Sequence, residues 1–133
     1  SNLLALGLKR NSVVSYQLPN WWEAIAIHLA ALKIGAISNP LMPFLRERDL
    51  KFMLELAETD ILITPATFRG FDHQGMARNL LNSVPSLRHI GIVGGDNDVA
   101  FERWVESSSI VEADAKIEQE QVVQYHFTSG TTA

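Results

Sequence analysis

Apolar and polar positions follow two rhythms along this chain. Ser12-Val13-Val14-Ser15-Tyr16-Gln17 is a short β-prone run that closes at Pro19, a residue unable to donate to a sheet ladder. A helix is predicted next, over Asn20 to Ile34: Asn20 is a good N-cap, Glu23 can return a bond to the cap backbone, and Gly35 stands where a helix ends. Trp21, Ile25, His28, Leu29 and Leu32 recur at spacings of three and four and predict its buried face. Trp22, about 100° further round, is read as a surface or interface residue. Ala36 to Ser38 is a short strand candidate that runs into an extended loop marked by Pro40 and Pro43. A second helix is predicted from about Arg46 to Ala57, with Leu50, Met53, Leu54 and Ala57 as its apolar stripe.

The brief, nearly all-apolar runs Asp60 to Pro65 and His89 to Val93 have the character of strands buried on both faces of a parallel sheet. Between them lie a polar loop around Gly70 to Gly75 and a helix from Met76 to about Ser83 that uses Ala77, Leu80, Leu81 and Val84. Beyond the turn Gly94-Gly95-Asp96-Asn97 come a weaker helix with Phe101, Trp104 and Val105, an acidic connector from Ser107 to Gln121, and a last strand over Val122 to Phe127. Alternating strands and helices predict an α/β architecture, a mostly parallel sheet with helices on both faces and right-handed crossovers.

Composition narrows the function classes. The 133 residues are enough for one packed core, and 47% apolar with 20% charged residues is ordinary for a folded globular chain. A net charge of −4 and the lack of a basic block speak against nucleic acid as a partner. With no cysteine there is no disulfide framework and no thiolate metal site, which agrees with a cytoplasmic location. The longest mainly apolar stretch, Ala24 to Leu32, is interrupted by His28 and is too short for a membrane span; no secretory leader is read at the start.

Candidate chemistry concentrates at the end of the sequence. Thr128-Ser129-Gly130-Thr131-Thr132 follows the last predicted strand, where the loops of an open parallel sheet bind ligands. Glycine allows a sharp turn and a close backbone approach, and the flanking hydroxyls can donate to phosphate oxygens. The same residue types also suit a solvated tail, and composition does not choose between the two. The run is no Walker loop, since it has no lysine, and no GxGxxG follows the first strand. Gly94-Gly95, with Asp96 and Asp98 beside it, is read as a plain turn that repels anions. His28 is read as a hydrogen-bonded core or pocket-wall residue, and His73, His89 and His126 show no metal-ligand spacing.

Four segments in order carry a resemblance. Thr128 to Thr132 after an aromatic residue at a strand end resembles the phosphate-binding signature of the adenylate-forming (AMP-binding) superfamily. Leu18-Pro19-Asn20 with Glu23, Leu32-Lys33-Ile34-Gly35-Ala36 through Asn39-Pro40-Leu41, and Asp49 to Leu54 resemble successive segments of its acyl-CoA synthetase branch, which includes medium-chain fatty acid and cyclohexanecarboxylate CoA ligases. The similarity runs from about Val13 to Thr132. It implies one subdomain of the large N-terminal domain of an acyl-adenylate-forming enzyme. The implied reaction activates a small-molecule carboxylic acid with ATP and Mg²⁺ as an acyl-adenylate and passes the acyl group to coenzyme A. In that resemblance Thr128, Ser129, Gly130, Thr131 and Thr132 bind the β- and γ-phosphates, and no catalytic or metal-binding residue is assigned. The family has glycine where this chain has Ala133, then a proline and a lysine followed by glycine. The expectation is therefore a partial adenylation domain over residues 1–133, cut within or just after the loop and inactive by itself. A self-standing, non-catalytic α/β binding or interaction module is the competing reading, and the oligomeric state is left open.

Overall fold

The computed structural model describes residues 7–106; the expected connector, last strand and Thr128–Thr132 loop lie outside them. In chain order the elements are β1 (Val13–Tyr16), α1 (Trp22–Ile34), β2 (Ile37–Pro40), α2 (Glu47–Leu56), β3 (Ile61–Pro65), the two-residue strands β4 (Thr67–Phe68) and β5 (Phe71–Asp72), α3 (His73–Ser83), β6 (His89–Val93) and α4 (Phe101–Glu106). Four strands form a parallel sheet in the order β2-β1-β3-β6, and β4 and β5 make a separate antiparallel hairpin.

Each inner strand is buried on both sides, which explains why β3 has no polar-apolar alternation. Val14 lies opposite Ile61, and Tyr16 opposite Ile63; these side chains pack with Ile27, Ala31 and Ile34 of α1 and with Phe101. On the other face Leu62, Ile90 and Ile92 meet Leu50 and Leu54 of α2 and Met76, Ala77 and Leu80 of α3. Helices thus cover both faces of a parallel sheet, as the alternation of elements predicts.

α1 departs from its predicted details. Its N-cap is Trp21, in extended conformation and with no side-chain cap bond, so the predicted Asn20–Glu23 capping box does not form. Trp21 N–H turns back onto the Pro19 carbonyl at 2.6 Å, which starts the helix one residue later than Asn20 would. Its buried face is Ile27, Ala31 and Ile34, whereas Ile25 and Leu29 are 65% and 54% exposed. An apolar residue stands on almost every side of this helix, so spacing alone selects the wrong stripe. Gly35 ends it as predicted, at φ 72°, where an L side chain is disfavoured.

α3 begins at His73 and not at Met76. Asp72 accepts a hydrogen bond from Gly75 N–H at 3.0 Å and supplies the N-cap. The β4–β5 hairpin occupies the stretch expected to be a loop. α2 matches its predicted stripe, with Leu50 and Leu54 wholly buried.

This packing predicts a contrast on one helix. Leu54→Ala should cost about 2–5 kcal/mol of unfolding free energy, because the closed space cannot fully collapse. Phe52→Ala, at a side chain 68% exposed, should cost less than about 0.5 kcal/mol. Urea unfolding followed by far-UV circular dichroism reads both, and equal costs would contradict the packing.

Candidate functional site

The strand order reverses direction between β1 and β3: from β1 the chain crosses to β2 on one side, then returns to place β3 and β6 on the other. Open parallel sheets bind ligands beyond the carboxyl ends of the strands at such a reversal. A cleft of about 390 Å³ opens there. Leu18, Pro19 and Asn20 line it from the segment after β1, Pro43, Phe44 and Arg46 from the loop after β2, and Phe68 and Arg69 from the hairpin after β3.

Gln17 fixes these loops to the sheet. Its backbone N–H donates to the Ile63 carbonyl at 2.8 Å, and its fully buried amide donates to the carbonyls of Met42 at 2.9 Å and Leu45 at 2.8 Å. The loop after β2 is therefore tied to the end of β1 by a side chain in the core. On the other wall Trp21 meets Phe68 edge-on, with ring centroids 6.2 Å apart, joining the start of α1 to the hairpin.

Two guanidinium groups sit on this aromatic framework. Arg46 lies 3.8 Å from the centroid of Phe71, and Arg69 lies 5.2 Å from that of Phe68. Stacking restrains both cations while leaving N–H donors for an anion. The cleft combines positive charge with the exposed ring of Phe44, a chemistry that suits a phosphate-bearing ligand with an apolar or aromatic portion.

A larger cleft, about 690 Å³, lies at the opposite edge, where Asn11, Glu55, Glu58, Asp60 and Arg88 are among its walls. Asp60 is already engaged there: one carboxylate oxygen accepts the Val13 N–H at 2.8 Å and the other lies 3.7 Å from Arg88. Charges of both signs, partly spent on structure, make it the weaker candidate.

The remaining sequence-level candidates fall into structural roles. His28 bonds through Nδ1 to Ser38 Oγ at 2.9 Å, and Ser38 donates to the Tyr16 hydroxyl at 3.0 Å, which links α1, β2 and β1. Gly94-Gly95 is a turn as expected, but it does not repel every anion: Gly94 N–H donates to the Glu102 carboxylate at 3.0 Å, and a Cβ on Gly95 would come within 2.5 Å of Ile92. Asp98 and Asp96 are paired with Arg78, at 3.0 and 3.5 Å. Among the described residues no group of three or more His, Cys, Asp or Glu side chains is placed to hold a metal ion, and no helix is long and apolar enough to cross a membrane. Gln17, Arg46, Arg69 and Phe68 were not legible as site residues, because three loops separated by 20 or more positions bring them together. Thr128 to Thr132 lie outside the described residues.

A parallel sheet covered by helices on both faces, with a cleft at its point of reversal, defines the open α/β class, in which ligands bind beyond the carboxyl ends of the strands. The chain belongs to the AMP-binding enzyme family, whose model matches residues 1–133. It is 30% identical over 135 aligned residues to the medium-chain fatty-acid–CoA ligase of Escherichia coli K12, covering 97% of this chain and 24% of that protein. It is 34% identical over 91 residues to the 2-hydroxy-7-methoxy-5-methyl-1-naphthoate–CoA ligase of Streptomyces carzinostaticus, covering 68% of this chain and 16% of the relative. Its fold matches that of a long-chain-fatty-acid–CoA ligase from Archaeoglobus fulgidus with a TM-score of 0.82 at 20% identity, over 99% of this chain and 25% of that one. The anthranilate CoA ligase AuaEII, solved with anthranoyl-AMP, gives a TM-score of 0.83 at 21% identity, over 97% and 24%. The chain thus spans a quarter or less of the length of these relatives, and its architecture is that of the N-terminal domains of adenylate-forming enzymes.

Two measurements test the local geometry. Gln17→Leu removes the buried donor shared by the Met42 and Leu45 carbonyls, which keep only the longer bonds from Leu45 N–H and Arg46 at 3.2 Å, and should cost about 1–3 kcal/mol in urea unfolding. The hydrogen bond from Arg78, which outweighs opposing desolvation, holds the Asp98 carboxyl below the usual aspartate range. Its contribution to stability is present above that range and fades as pH falls through the lowered value. An NMR pH titration should show this low midpoint, and Arg78→Ala should move it upward.

Proposed function

We propose that these 133 residues form part of the N-terminal, adenylate-forming domain of an ATP-dependent acid–thiol ligase. A carboxylate oxygen of the acid attacks the α-phosphorus of Mg·ATP, pyrophosphate departs with the electrons of the broken P–O bond, and an acyl-adenylate results. The thiol of coenzyme A then attacks the acyl carbon, forming the thioester and releasing AMP. The observation that carries this reading is the similarity to the Escherichia coli medium-chain fatty-acid–CoA ligase across 97% of the chain.

In this reading Thr128, Ser129, Gly130, Thr131 and Thr132 hold the departing pyrophosphate with hydroxyl and backbone N–H donors, as charge accumulates on it. The cleft formed by Arg46, Arg69 and Phe44 takes a phosphate-bearing part of a substrate, which fits its charge and exposed ring. In this reading the groups that complete the ATP and acyl sites lie in the remainder of the relatives' length, of which the chain covers 24% in the Escherichia coli protein. The 133 residues alone are therefore inactive. A cytoplasmic enzyme acting on a small carboxylic acid is the setting this chemistry implies.

Carboxylate-dependent ATP–pyrophosphate exchange tests the reading. The complete protein that carries this stretch should catalyse exchange with at least one acid from a panel of medium-chain and aromatic acids. Thr131→Ala should slow it roughly tenfold or more. The 133-residue chain alone should show no exchange and no micromolar binding of Mg·ATP by calorimetry. Micromolar, Mg²⁺-dependent binding by the short chain would overturn the division of labour, and absence of exchange by the complete protein with every acid would overturn the function.

A further inference from the structure

The face of the sheet that meets α2 and α3 carries a line of polar side chains. Ser15 lies opposite Asn39 of β2 on one edge of β1 and opposite Leu62 of β3 on the other. The ladder runs one step past β1, since Gln17 N–H donates to the Ile63 carbonyl and Leu41 N–H to that of Tyr16, both at 2.8 Å. Alternation along the strand then puts Gln17 on the same face as Ser15 and diagonal to Asn39. Ser15, Gln17, Asn39 and Thr59 are all wholly buried.

Most of the hydrogen-bonding capacity of this line is met within the protein. The Ser15 and Thr59 hydroxyls lie 2.7 Å apart, and Asn39 Nδ2 donates to Ser15 Oγ at 2.8 Å. Gln17 Nε2 donates to the carbonyls of Met42 and Leu45 at 2.9 and 2.8 Å. The other half of each amide is different: Gln17 Oε1 and Asn39 Oδ1 are buried acceptors to which no described residue donates. Gln17 cannot correct this by turning its amide round, because an oxygen would then face the two carbonyls. A buried carbonyl oxygen without a donor bears the full cost of leaving water. Two such oxygens on diagonal neighbours call for a partner with two protons to give. A hard cation takes about six or more oxygens, which two neutral amides do not supply. Water gives two hydrogens and settles in cores at polar points of this kind.

We propose that one internal water molecule sits between β1 and β2 at the carboxyl end of the sheet and donates its hydrogens to Gln17 Oε1 and Asn39 Oδ1. It completes a hydrogen-bonded seam that passes from Thr59 to Ser15, Asn39, the water, Gln17 and the Met42 and Leu45 carbonyls. The seam leads from the turn before β3, through the core, to the loop that lines the cleft. Its water is a structural ligand of the fold, and the site does not depend on the reaction proposed above.

A crystal structure of the complete protein that carries this stretch, at a resolution that shows ordered water, tests the site directly. One water should stand about 2.7–3.2 Å from both amide oxygens. The absence of a bridging water overturns the proposal, and so does a protein N–H or O–H on either oxygen, including an Asn39 amide turned round to donate to Gln17. Water ¹⁷O magnetic relaxation dispersion of the same protein in solution forms the second arm. Asn39→Leu takes away one of the two acceptors and should lower the dispersion amplitude by the equivalent of one long-lived water, whereas Phe52→Ala at the surface should leave it unchanged. An unchanged amplitude in folded Asn39→Leu also overturns the site. The crystallographic arm needs no substitution and decides alone if Asn39→Leu does not fold.

Discussion

The structure depends on β1 being paired on both edges and buried on both faces. Its register against β2 is set by polar contacts inside the core as well as by apolar burial. Ser15 bonds to Thr59 at 2.7 Å and receives the amide of Asn39 at 2.8 Å, while Ser38 and Tyr16 meet on the opposite face. A slip of one residue would break this set and send Val14 and Tyr16 to the wrong side. Because β1 holds its place, Gln17, the residue that follows it, emerges where it can grip the loop after β2, and the cleft inherits its geometry from the centre of the sheet.

The sheet was legible in the sequence because its strands are short, β-branched and bounded by proline or glycine. Leu50 and Leu54 announced α2, whose polar residues are confined to one side. α1 hid its orientation: Ile25 and Leu29 fit helical spacing as well as Ile27, Ala31 and Ile34 do, and only the sheet beneath distinguishes them. The hairpin was missed for a different reason. Phe68-Arg69-Gly70-Phe71 has the polar tip of a loop, yet a four-residue reversal with Arg69 and Gly70 both at positive φ closes it into two paired strands. Asp72 was then free to cap α3, one helical turn before the apolar pattern begins.

The candidate site was legible only in part. Resemblance to acyl-CoA synthetases singles out Thr128 to Thr132 because that motif is contiguous in sequence, and those residues lie outside the described ones. The cleft is not contiguous: Asn20, Arg46 and Arg69 each look like ordinary loop or helix-start residues until the crossovers bring three strand ends together. His73 illustrates the same limit, since nothing in its neighbours along the chain reveals that its Nε2 lies 3.3 Å from the Pro43 carbonyl.

Helix α1 has a consequence beyond this fold unit. Ile27, Ala31 and Ile34 serve the sheet, while Trp22, Ile25 and Leu29 present a second apolar surface to the outside. A helix dressed on two sides suits the middle of a layered body better than its skin. Anyone who handles this stretch as a separate object inherits a sticky flank, and replacing those three residues with polar ones would improve its solution behaviour without touching the core beneath.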